Sequence, residues 1–358
     1  MRRLANKFRV LVIVLSVPMI CPVISSAQQA PSAPALVRLD AALDKIIAAD
    51  AKIELIADGF RFTEGPVWVR RPTEPGGYLL FSDIPANKIH KWTPDGKVSV
   101  YLEPSGFTGG DATGVGREIR EGDGEVFYNL GSNGITLDKQ GRVVFNAMGD
   151  RAIVRLEPDG KRTVLADRFE GKRLNSTNDL VYRSDGALYF TDPPSGLRDG
   201  DTDPKKELPY RGVFLLKDGK VRLLLSDVAP NGLAISPDEK FFYVNDNVAR
   251  TILRFDLRPD GTIASRKVLV DMSGDKSPGN PDGMKVDTAG NIFCTGAGGL
   301  WIISPEGQHL GTIKLPTQPS NMGFGGDDGK TLFITARKTV YRVRVNIPGV
   351  HPQSQLSN

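Results

Sequence analysis

Short runs of alternating apolar and polar residues recur along most of the chain, and each run is closed by a turn that contains Gly or Asp. Alternation with a period of two is typical of a β-strand with one buried face. The same unit occurs six times: a polar residue, an alternating strand, a turn, and a second strand that carries an aromatic residue. These six hairpins lie at 64–83, 133–147, 178–192, 231–245, 282–295 and 321–335.

A third strand follows each hairpin, as in KIHKWTPDGK at 88–97 and AIVRLEPDGK at 152–161. The first residues of the hairpins are on average about 51 residues apart, a period close to that of other propeller repeats. Three or four strands per unit at this spacing are typical of a β-propeller blade. A β-sandwich would not require one unit to be repeated six times. The sequence therefore predicts an all-β fold, a six-bladed β-propeller over residues 51–346.

The sixth unit lacks a fourth strand, because its third strand ends near Val345. The stretch KIELIADG at 52–59 precedes the first unit and can supply the missing strand. We therefore predict that the two ends of the chain pair and close the ring, which removes an exposed sheet edge. Residues 347–358 then form a C-terminal tail.

The first 27 residues have the features of a signal peptide. Four basic residues precede an apolar run at 10–24, and Ser-Ser-Ala follows as a small-residue cleavage site. Pro18 and Pro22 interrupt a run that is already short for a membrane span. We expect an exported protein, periplasmic or secreted, without a membrane span in its mature form. Residues 28–50 are predicted to be a linker with one or two helical turns.

The basic character of the chain belongs largely to this leader. The formal net charge is +4, and the leader carries four basic and no acidic residues, so the remaining chain is formally neutral. Charge therefore gives no argument for binding nucleic acid or an acidic membrane surface. Only Cys294 lies outside the leader, which excludes an internal disulfide in the mature chain.

A residue with a side-chain oxygen begins each of the six hairpins. The innermost strands of a propeller line its axis and start on the same face, so we expect these anchor residues to converge there. Asn and Asp before a single strand usually satisfy turn amides. Two carboxylates crowded with several amides at one axis would be costly without a cation. The anchor residues are Glu64, Asn133, Asn178, Asn231, Asp282 and Asn321.

The anchor residues favour a hard cation. None of the three His residues and no Cys is among them, so the ligands that zinc prefers are missing from this set. Carboxylate and amide oxygens suit Ca²⁺ best, with Mg²⁺ or Mn²⁺ as alternatives. The acidic run at 199–203 resembles the start of a helix-loop-helix calcium loop. Pro204 and Tyr210 stand where that loop needs Gly and Glu, so we predict a solvated excursion there.

Four motifs resemble the gluconolactonase and senescence-marker (regucalcin-like) family: FTEGPVW at 62–68, KRLNSTNDLV at 172–181, PNGLAIS at 230–236 and NPDGMKVD at 280–287. The similarity extends over about residues 52–346. It implies a six-bladed propeller with one axial divalent cation, held by Glu64, Asn178, Asn231 and Asp282. It also implies hydrolysis of sugar lactones, and relatives cleave organophosphates. Similar bacterial members often have Glu-His where this chain has Ala147-Met148, and usually Pro in place of Thr177.

We hypothesise metal-assisted hydrolysis of a lactone, with a carboxylate that activates water or attacks directly. Asp282 is the first candidate for this carboxylate, and Asp179 and Asp192 are alternatives. The absence of a Gly-x-Ser-x-Gly motif argues against a serine hydrolase.

Three further residues, Asn133, Arg173 and Asn175, are predicted to orient a small-molecule substrate. Arg173 could equally form a surface salt bridge. The segment 105–129 is too long for a plain blade connection and is expected to form a lid or wall. Two alternatives remain open: organophosphate cleavage at the same site, and a secreted propeller that binds a sugar or another ligand around a structural ion.

Overall fold

The computed structural model describes residues 33–70, 76–120 and 126–352 and contains a ring of antiparallel sheets. From the axis outwards, blade one consists of Thr63–Val69, Tyr78–Asp83, Lys88–Trp92 and Val98–Leu102. Blade two consists of Ser132–Leu137, Val143–Ala147, Ala152–Leu156 and Arg162–Ala166. Blade three consists of Leu180–Tyr182, Leu188–Asp192, Gly212–Lys217 and Lys220–Leu225.

The second half of the chain repeats this order. Blade four consists of Pro230–Ile235, Phe241–Asp246, Thr251–Leu257 and Ile263–Asp271. Blade five consists of Met284–Val286, Ile292–Gly296, Gly299–Ile303, His309–Lys314 and Ala35–Arg38. Blade six consists of Asn321–Gly325, Thr331–Ala336, Thr339–Arg344 and Ile53–Asp58.

Several short elements lie outside the main sheets of the blades, near the face that carries the anchor residues and at the edge of blade five. Two small hairpins pair Glu118–Arg120 with Val126–Tyr128 and Arg168–Phe169 with Lys172–Arg173. In the described ranges, 3-10 helices lie at Ala41–Lys45, Pro194–Gly196 and Gly200–Thr202. Among the residues that the structure describes, no helix combines the length and apolar character needed to cross a membrane.

The ring is closed at both its inner and outer strands. Each innermost strand contacts the innermost strands of its two neighbours, and blade six contacts blade one in the same way. Ile53–Asp58 pairs antiparallel with Thr339–Arg344, from Ile53 opposite Val343 to Asp58 opposite Thr339. The predicted closure by the strand before blade one is therefore confirmed, and so is the six-bladed all-β fold.

The hydrophobic core is divided among the interfaces between blades. Among the described residues, six buried clusters each join the facing sides of two neighbouring blades. Five of these clusters contain the aromatic residue that recurs in each second strand: Phe81, Phe145, Phe190, Tyr243, Phe293 and Phe333, all buried. The cluster between blades three and four contains Tyr189 and Phe242 instead. Aromatic residues contribute large apolar areas, so these buried rings hold each blade against the next.

The prediction of a linker at 28–50 is wrong for the residues that form an edge strand, whereas its predicted helical turn is present at Ala41–Lys45. Ala35–Arg38 forms an edge strand on blade five, with Ala35 opposite Lys314 and Arg38 opposite Gly311. The helical turn that follows is capped by Asp40, whose carboxylate accepts the Ala42 amide at 2.8 Å. The turn and the residues after it insert Leu43, Ile46 and Ile47 into the core between blades five and six. The predicted signal peptide lies outside the described residues.

The described part of the predicted tail is also integrated into the fold. Two backbone hydrogen bonds join it to blade five: the Thr288 amide donates to the Pro348 carbonyl at 2.9 Å, and the Val350 amide donates to the Val286 carbonyl at 3.0 Å. Gly349 lies so close to Phe324 that an added Cβ would meet its ring carbon Cγ at 1.9 Å. Val350 and Pro352 border a narrow axial cavity of about 50 Å³ that is lined by innermost strands of all six blades.

His351 fixes the end of this segment and makes it sensitive to pH. Its Nε2 donates to the carbonyl of Trp68 at 2.7 Å, and the side chain is buried. Burial and the charge of Arg70 lower the pKa of His351 to about 4. In the unfolded chain the imidazole has its ordinary pKa of about 6.5. Between this pH and the folded-state pKa of about 4, the unfolded chain therefore binds more protons than the folded protein. His351 therefore contributes stability above this range, and the contribution is lost as the pH falls through it.

We expect the variant His351→Gln to have a flatter pH dependence of stability than the wild type between pH 6.5 and 4. The Gln amide can still donate to the Trp68 carbonyl but cannot titrate. The difference in the free energy of unfolding between the variant and the wild type should change by up to about 3 kcal/mol across this range. Urea unfolding at a series of pH values measures it. Parallel pH profiles of the two proteins would contradict this assignment.

Candidate functional site

Glu64 begins the innermost strand of blade one and is buried, with 3% of its surface exposed. Its Oε2 accepts hydrogen bonds from the Gly65 amide at 2.8 Å and from Asn321 Nδ2 at 2.9 Å. Because Asn321 begins the innermost strand of blade six, two anchor residues from different blades are in direct contact.

Asp282 at the start of blade five and Asn231 of blade four are a second pair of neighbouring anchor residues. The Asn231 side chain lies close enough to the Asp282 carboxylate to stabilise its charged form. The backbone carbonyl of Asp282 accepts the Gly232 amide at 3.0 Å and also the side-chain amide of Asn245. Asp282 is thus held in place by blade four on its backbone and side chain.

The two anchor carboxylates also affect each other across the axis. Burial, followed by the charge of Asp282, raises the pKa of Glu64 well above its usual range. Burial, followed by the charge of Asp179, raises the pKa of Asp282 to about 7. Carboxylates that are buried near like charges are costly to ionise. The site therefore has the electrostatics of a pocket that a cation would stabilise.

Asp179 is a third carboxylate at the axis and has its own counter-charge. Its Oδ1 accepts the Leu180 amide at 2.8 Å, and its Oδ2 pairs with Lys285 Nζ at 3.3 Å. Its charge raises the pKa of both Glu64 and Asp282. Three carboxylates and one ammonium leave two negative charges, which matches a divalent cation.

Glycines allow the anchor residues to approach one another. In four of the six units the anchor is followed by Gly. A Cβ on Gly65 would lie 2.2 Å from the Asn133 carbonyl oxygen, and one on Gly232 would lie 2.2 Å from that of Asp282. A Cβ on Gly283 would meet Asn321 Cγ at the same distance. The innermost strands are therefore closer together at this level than any side chain would allow.

We expect Gly232→Ala to destabilise the protein by about 1–3 kcal/mol, because overpacking forces the backbone of Asp282 to move. Gly274→Ala is a matched control, since a Cβ there would meet no atom within 4 Å. Urea unfolding of both variants compares them. Equal stabilities would show that the strands are not in tight contact at this position.

Two further anchor amides lie at the same level of the axis. The side chains of Asn133 and Asn178 are 5% and 6% exposed, so their polar atoms can still reach a ligand or solvent. Within the described ranges, no three His, Cys, Asp or Glu side chains are grouped so that they could hold an ion. A cation at the axis would therefore need amide oxygens as well as Glu64 and Asp282. The donor set that is present fits this requirement for a hard ion.

A polar pocket of about 630 Å³ opens beside Asn231. Its walls come from the connection between the second and third strands of blade three, from the start of blade four, and from the long segment after blade one. This volume is in the range of small-molecule sites. The residues that line it are Arg117, Pro193, Pro194, Ser195, Arg198, Asp199, Gly200, Asp201, Arg211, Ala229, Pro230, Asn231 and Asn247.

Asp192 does not have the surroundings of a catalytic base. Its two oxygens accept the backbone amides of Asn175 and Ser176, both at 2.7 Å, and the residue is fully buried. Asp83 makes the equivalent pair of bonds in blade one, to the amides of Arg61 and Phe62. Both aspartates hold the segment that leads to an anchor residue. Burial raises the pKa of Asp192 to about 7 despite these amides.

Arg173 and Asn175 also have structural partners. Arg173 donates from Nη2 to the Asp150 carbonyl at 2.7 Å, and its backbone amide donates to Glu207 at 2.7 Å. The Asn175 amide donates to the carbonyls of Asp192 and Tyr210. Neither residue lines the pocket beside Asn231. Both side chains therefore contact the backbone of neighbouring segments, and the substrate contact that the sequence predicted for Arg173 and Asn175 stays a prediction.

The described part of the long segment after blade one forms a wall of the pocket, which is one of the two arrangements expected for it. Val115 makes an isolated bridge to Leu197, which connects this segment to blade three. Arg117 lines the pocket from the same side. The run at 199–203 lies at the pocket rim as a 3-10 turn, with Asp201 paired to Arg211.

Comparison with known proteins identifies the family. A family model described as "SMP-30/Gluconolactonase/LRE-like region" matches residues 62–338, which is more than half of the chain. The chain belongs to the SMP-30/gluconolactonase/LRE-like family.

Individual relatives agree with this assignment. The protein is 40% identical over 317 residues to a gluconolactonase of Zymomonas mobilis, covering 86% of this chain and 85% of the relative. It is 28% identical over 283 residues to the regucalcin of Oryctolagus cuniculus, covering 77% and 83%. The solved structure of a gluconolactonase from Xanthomonas campestris is similar with a TM-score of 0.72 and 31% identity, covering 88% and 97%.

In this SMP-30/gluconolactonase family member, two apolar residues support the wall of the pocket. Ala147 and Met148 are buried. Met148 packs so closely against Gly196 that an added Cβ there would meet its Cγ at 2.3 Å. The turn at Pro194–Gly196, which forms part of the pocket wall, therefore rests on Met148.

Sequence reasoning missed several residues of this family member's site. Lys285 was not identified, although it lies three positions after Asp282 in the NPDGMKVD motif. The glycines after the anchors were visible as a repeat, but their role depends on the distance between strands. Arg117, Arg198 and Arg211 lie on connections of unequal length, so no repeat signal could have found them.

Proposed function

We propose that this protein hydrolyses a sugar lactone to the open hydroxy acid and that it needs one divalent cation, Ca²⁺ first, with Mg²⁺ or Mn²⁺ as alternatives. The observation that carries the proposal is the convergence of buried Glu64 and half-buried Asp282 with anchor amides at one end of the axis. The 40% identity to a gluconolactonase over most of both chains supports the substrate class.

Glu64, Asn178, Asn231 and Asp282 are the residues that would hold the ion. Their oxygens are carboxylates and neutral amides, which are the donors that Ca²⁺ prefers. A bound divalent cation would supply Lewis-acid polarisation of the lactone carbonyl. The pairing of Asp179 with Lys285 keeps the third carboxylate from adding a further negative charge to this donor set.

Asp282 is the proposed general base. Its carboxylate takes a proton from the water whose oxygen attacks the lactone carbonyl carbon. The bond between that carbon and the ring oxygen then breaks, and the same carboxylate returns the proton to the departing oxygen. Asp282 is suited to this role because blade four holds its backbone at the axis, through the Gly232 amide and the Asn245 side chain.

Asn133 is proposed to orient the substrate. Its side chain is 5% exposed at the level of the anchors. An amide at this place can donate to and accept from the hydroxyl groups of a sugar. The pocket beside Asn231 provides room for the remainder of the sugar.

A lactone panel tests the proposal. Acid release from aldono-lactones is followed with a pH indicator, above the spontaneous rate, with the protein as purified, with chelator, and after Ca²⁺, Mg²⁺ or Mn²⁺ is added back. We expect hydrolysis that the chelator abolishes and that Ca²⁺ restores best. An unchanged rate of hydrolysis in the presence of the chelator would contradict the metal requirement. Turnover of phosphotriesters alone would favour organophosphate cleavage, and turnover of neither class would favour a binding protein.

A further inference from the structure

The pocket beside Asn231 is unusually rich in arginine for a site that would bind a neutral sugar. Three guanidinium groups line it, from Arg117, Arg198 and Arg211, against the two carboxylates of Asp199 and Asp201. These five side chains come from the wall after blade one and from the long connection of blade three. The pocket therefore differs in charge from the site of the axial carboxylates.

One of the three arginines is neutralised by the protein. Arg211 donates from both Nε and Nη2 to Asp201 Oδ2, and Lys206 Nζ lies 3.7 Å from the other oxygen of the same carboxylate. Asp201 is thus shared by two cations and has no capacity to neutralise a third. Asp199 is the remaining acid of the pocket.

The other two arginines are available to a ligand. The Arg198 guanidinium stacks 3.9 Å from the centre of the Tyr128 ring, and its Nη2 donates to the Val115 carbonyl at 3.2 Å. Its Nε is buried and has no hydrogen-bond partner, like the hydroxyl of Ser195 in the same wall. Within the described residues, the Arg117 guanidinium has no hydrogen bond or ion pair.

Stacking on Tyr128 fixes the plane of Arg198, so that this guanidinium presents its donors in a defined orientation. A planar guanidinium with a fixed orientation suits the oxygens of a phosphate, sulfonate or carboxylate. Neutral hydroxyl groups do not require unpaired positive charge, and the Asn and Ser side chains of the wall could already bind them.

We propose that this pocket binds an anionic substituent, and that the substrate is a sugar lactone carrying a phosphate, sulfonate or second carboxylate away from the ester. This inference rests on the proposed lactonase function. The lactone ring would lie at the axis beside Asn231, and the charged group would contact Arg117 and Arg198. The arginines add affinity for the anion without taking part in ring opening.

The product acids provide stable probes, because they do not hydrolyse. Binding of D-gluconate and of 6-phospho-D-gluconate to the Ca²⁺-loaded protein is measured by isothermal titration calorimetry, with inorganic phosphate as a third probe. We expect the phosphorylated acid to bind at least about tenfold more tightly than gluconate, which corresponds to one charge-assisted contact of ~1.4 kcal/mol. Inorganic phosphate alone should bind more weakly than the phosphorylated acid, since it lacks the contacts at the axis.

Arg117→Met and Arg198→Met should each reduce the preference for the phosphorylated acid over gluconate by about fivefold or more. Arg198→Lys keeps the positive charge but not the planar guanidinium, and it should lose part of the preference for the phosphorylated acid. Arg222→Met is the control, because Arg222 is exposed on the outermost strand of blade three. It should leave the ratio unchanged.

Kinetics on neutral and phosphorylated lactones separate this inference from the proposed function. Hydrolysis of both lactones with equal KM, together with equal affinities for the two acids, would overturn the inference while the lactonase function stands. Hydrolysis of neither would overturn both. A KM that is lower for the phosphorylated lactone, and that rises towards the neutral value in Arg117→Met and Arg198→Met, would support it.

Discussion

Replacement of Asp282 by Asn is expected to lower kcat for lactone hydrolysis by about 1,000-fold, since general-base catalysis contributes on the order of 10²–10⁴. The substitution keeps the size of the side chain and removes its negative charge, and with it the ability to accept a proton from water. The backbone of Asp282 would still accept the Gly232 amide, so the innermost strands should remain in register. Initial rates at saturating Ca²⁺, corrected for the spontaneous reaction, measure the effect.

Asp256→Asn is the matched control for this variant. Asp256 lies exposed on the third strand of blade four, away from the axis. It should retain wild-type activity. Asp282 is also a proposed ligand of the ion. The calcium affinity of Asp282→Asn is therefore measured in parallel, and the rates of the variants and the wild type are compared at saturating Ca²⁺. Retention of wild-type kcat in Asp282→Asn would assign the base to another residue, with Asp179 as the next candidate.

Glu64→Gln is expected to weaken calcium binding by at least about 100-fold, because even residues outside the coordination sphere of a metal commonly contribute ten- to 100-fold. Asn321 could still hydrogen-bond the new amide oxygen, so the contact between blades one and six is preserved. The lost charge is the main change. Isothermal titration calorimetry measures the affinity.

A second measurement on the same variant reports on stability. Ca²⁺ at 100 times its Kd should stabilise the wild type by about 2.7 kcal/mol, and this gain should largely disappear in Glu64→Gln. The control is Glu54→Gln, at an exposed carboxylate that pairs with Arg342 on the outer strand of blade six. An unchanged thermal response to Ca²⁺ in Glu64→Gln would place the ion elsewhere.

The repeated architecture was predictable because each blade is specified locally. Alternation, turn residues and the buried aromatic recur in every unit, and the missing fourth strand of blade six left only one candidate to close the ring. The strand at Ala35–Arg38 could not be predicted, because it forms only against the exposed edge of blade five. Four residues are too few to carry a pattern of their own.

The site was predictable where it follows the repeat and not where it depends on tertiary contacts. The anchor residues share one position in each unit, so their convergence followed from the fold. The actual partners of Asp192 are amides three and two residues before Asn178, and Lys285 pairs with Asp179 across 106 positions of sequence. Such pairings depend on how neighbouring blades and their connections pack, which a single sequence does not reveal.

The central claim is that side-chain oxygens from separate blades hold one divalent cation on the propeller axis. Anomalous diffraction from crystals grown with Mn²⁺, a hard ion that the same donors accept, tests it most directly. We predict one strong peak on the axis, in coordination contact with oxygens of Glu64, Asn178, Asn231 and Asp282. A protein that binds Mn²⁺ in solution but shows its peak away from these four residues would contradict the account.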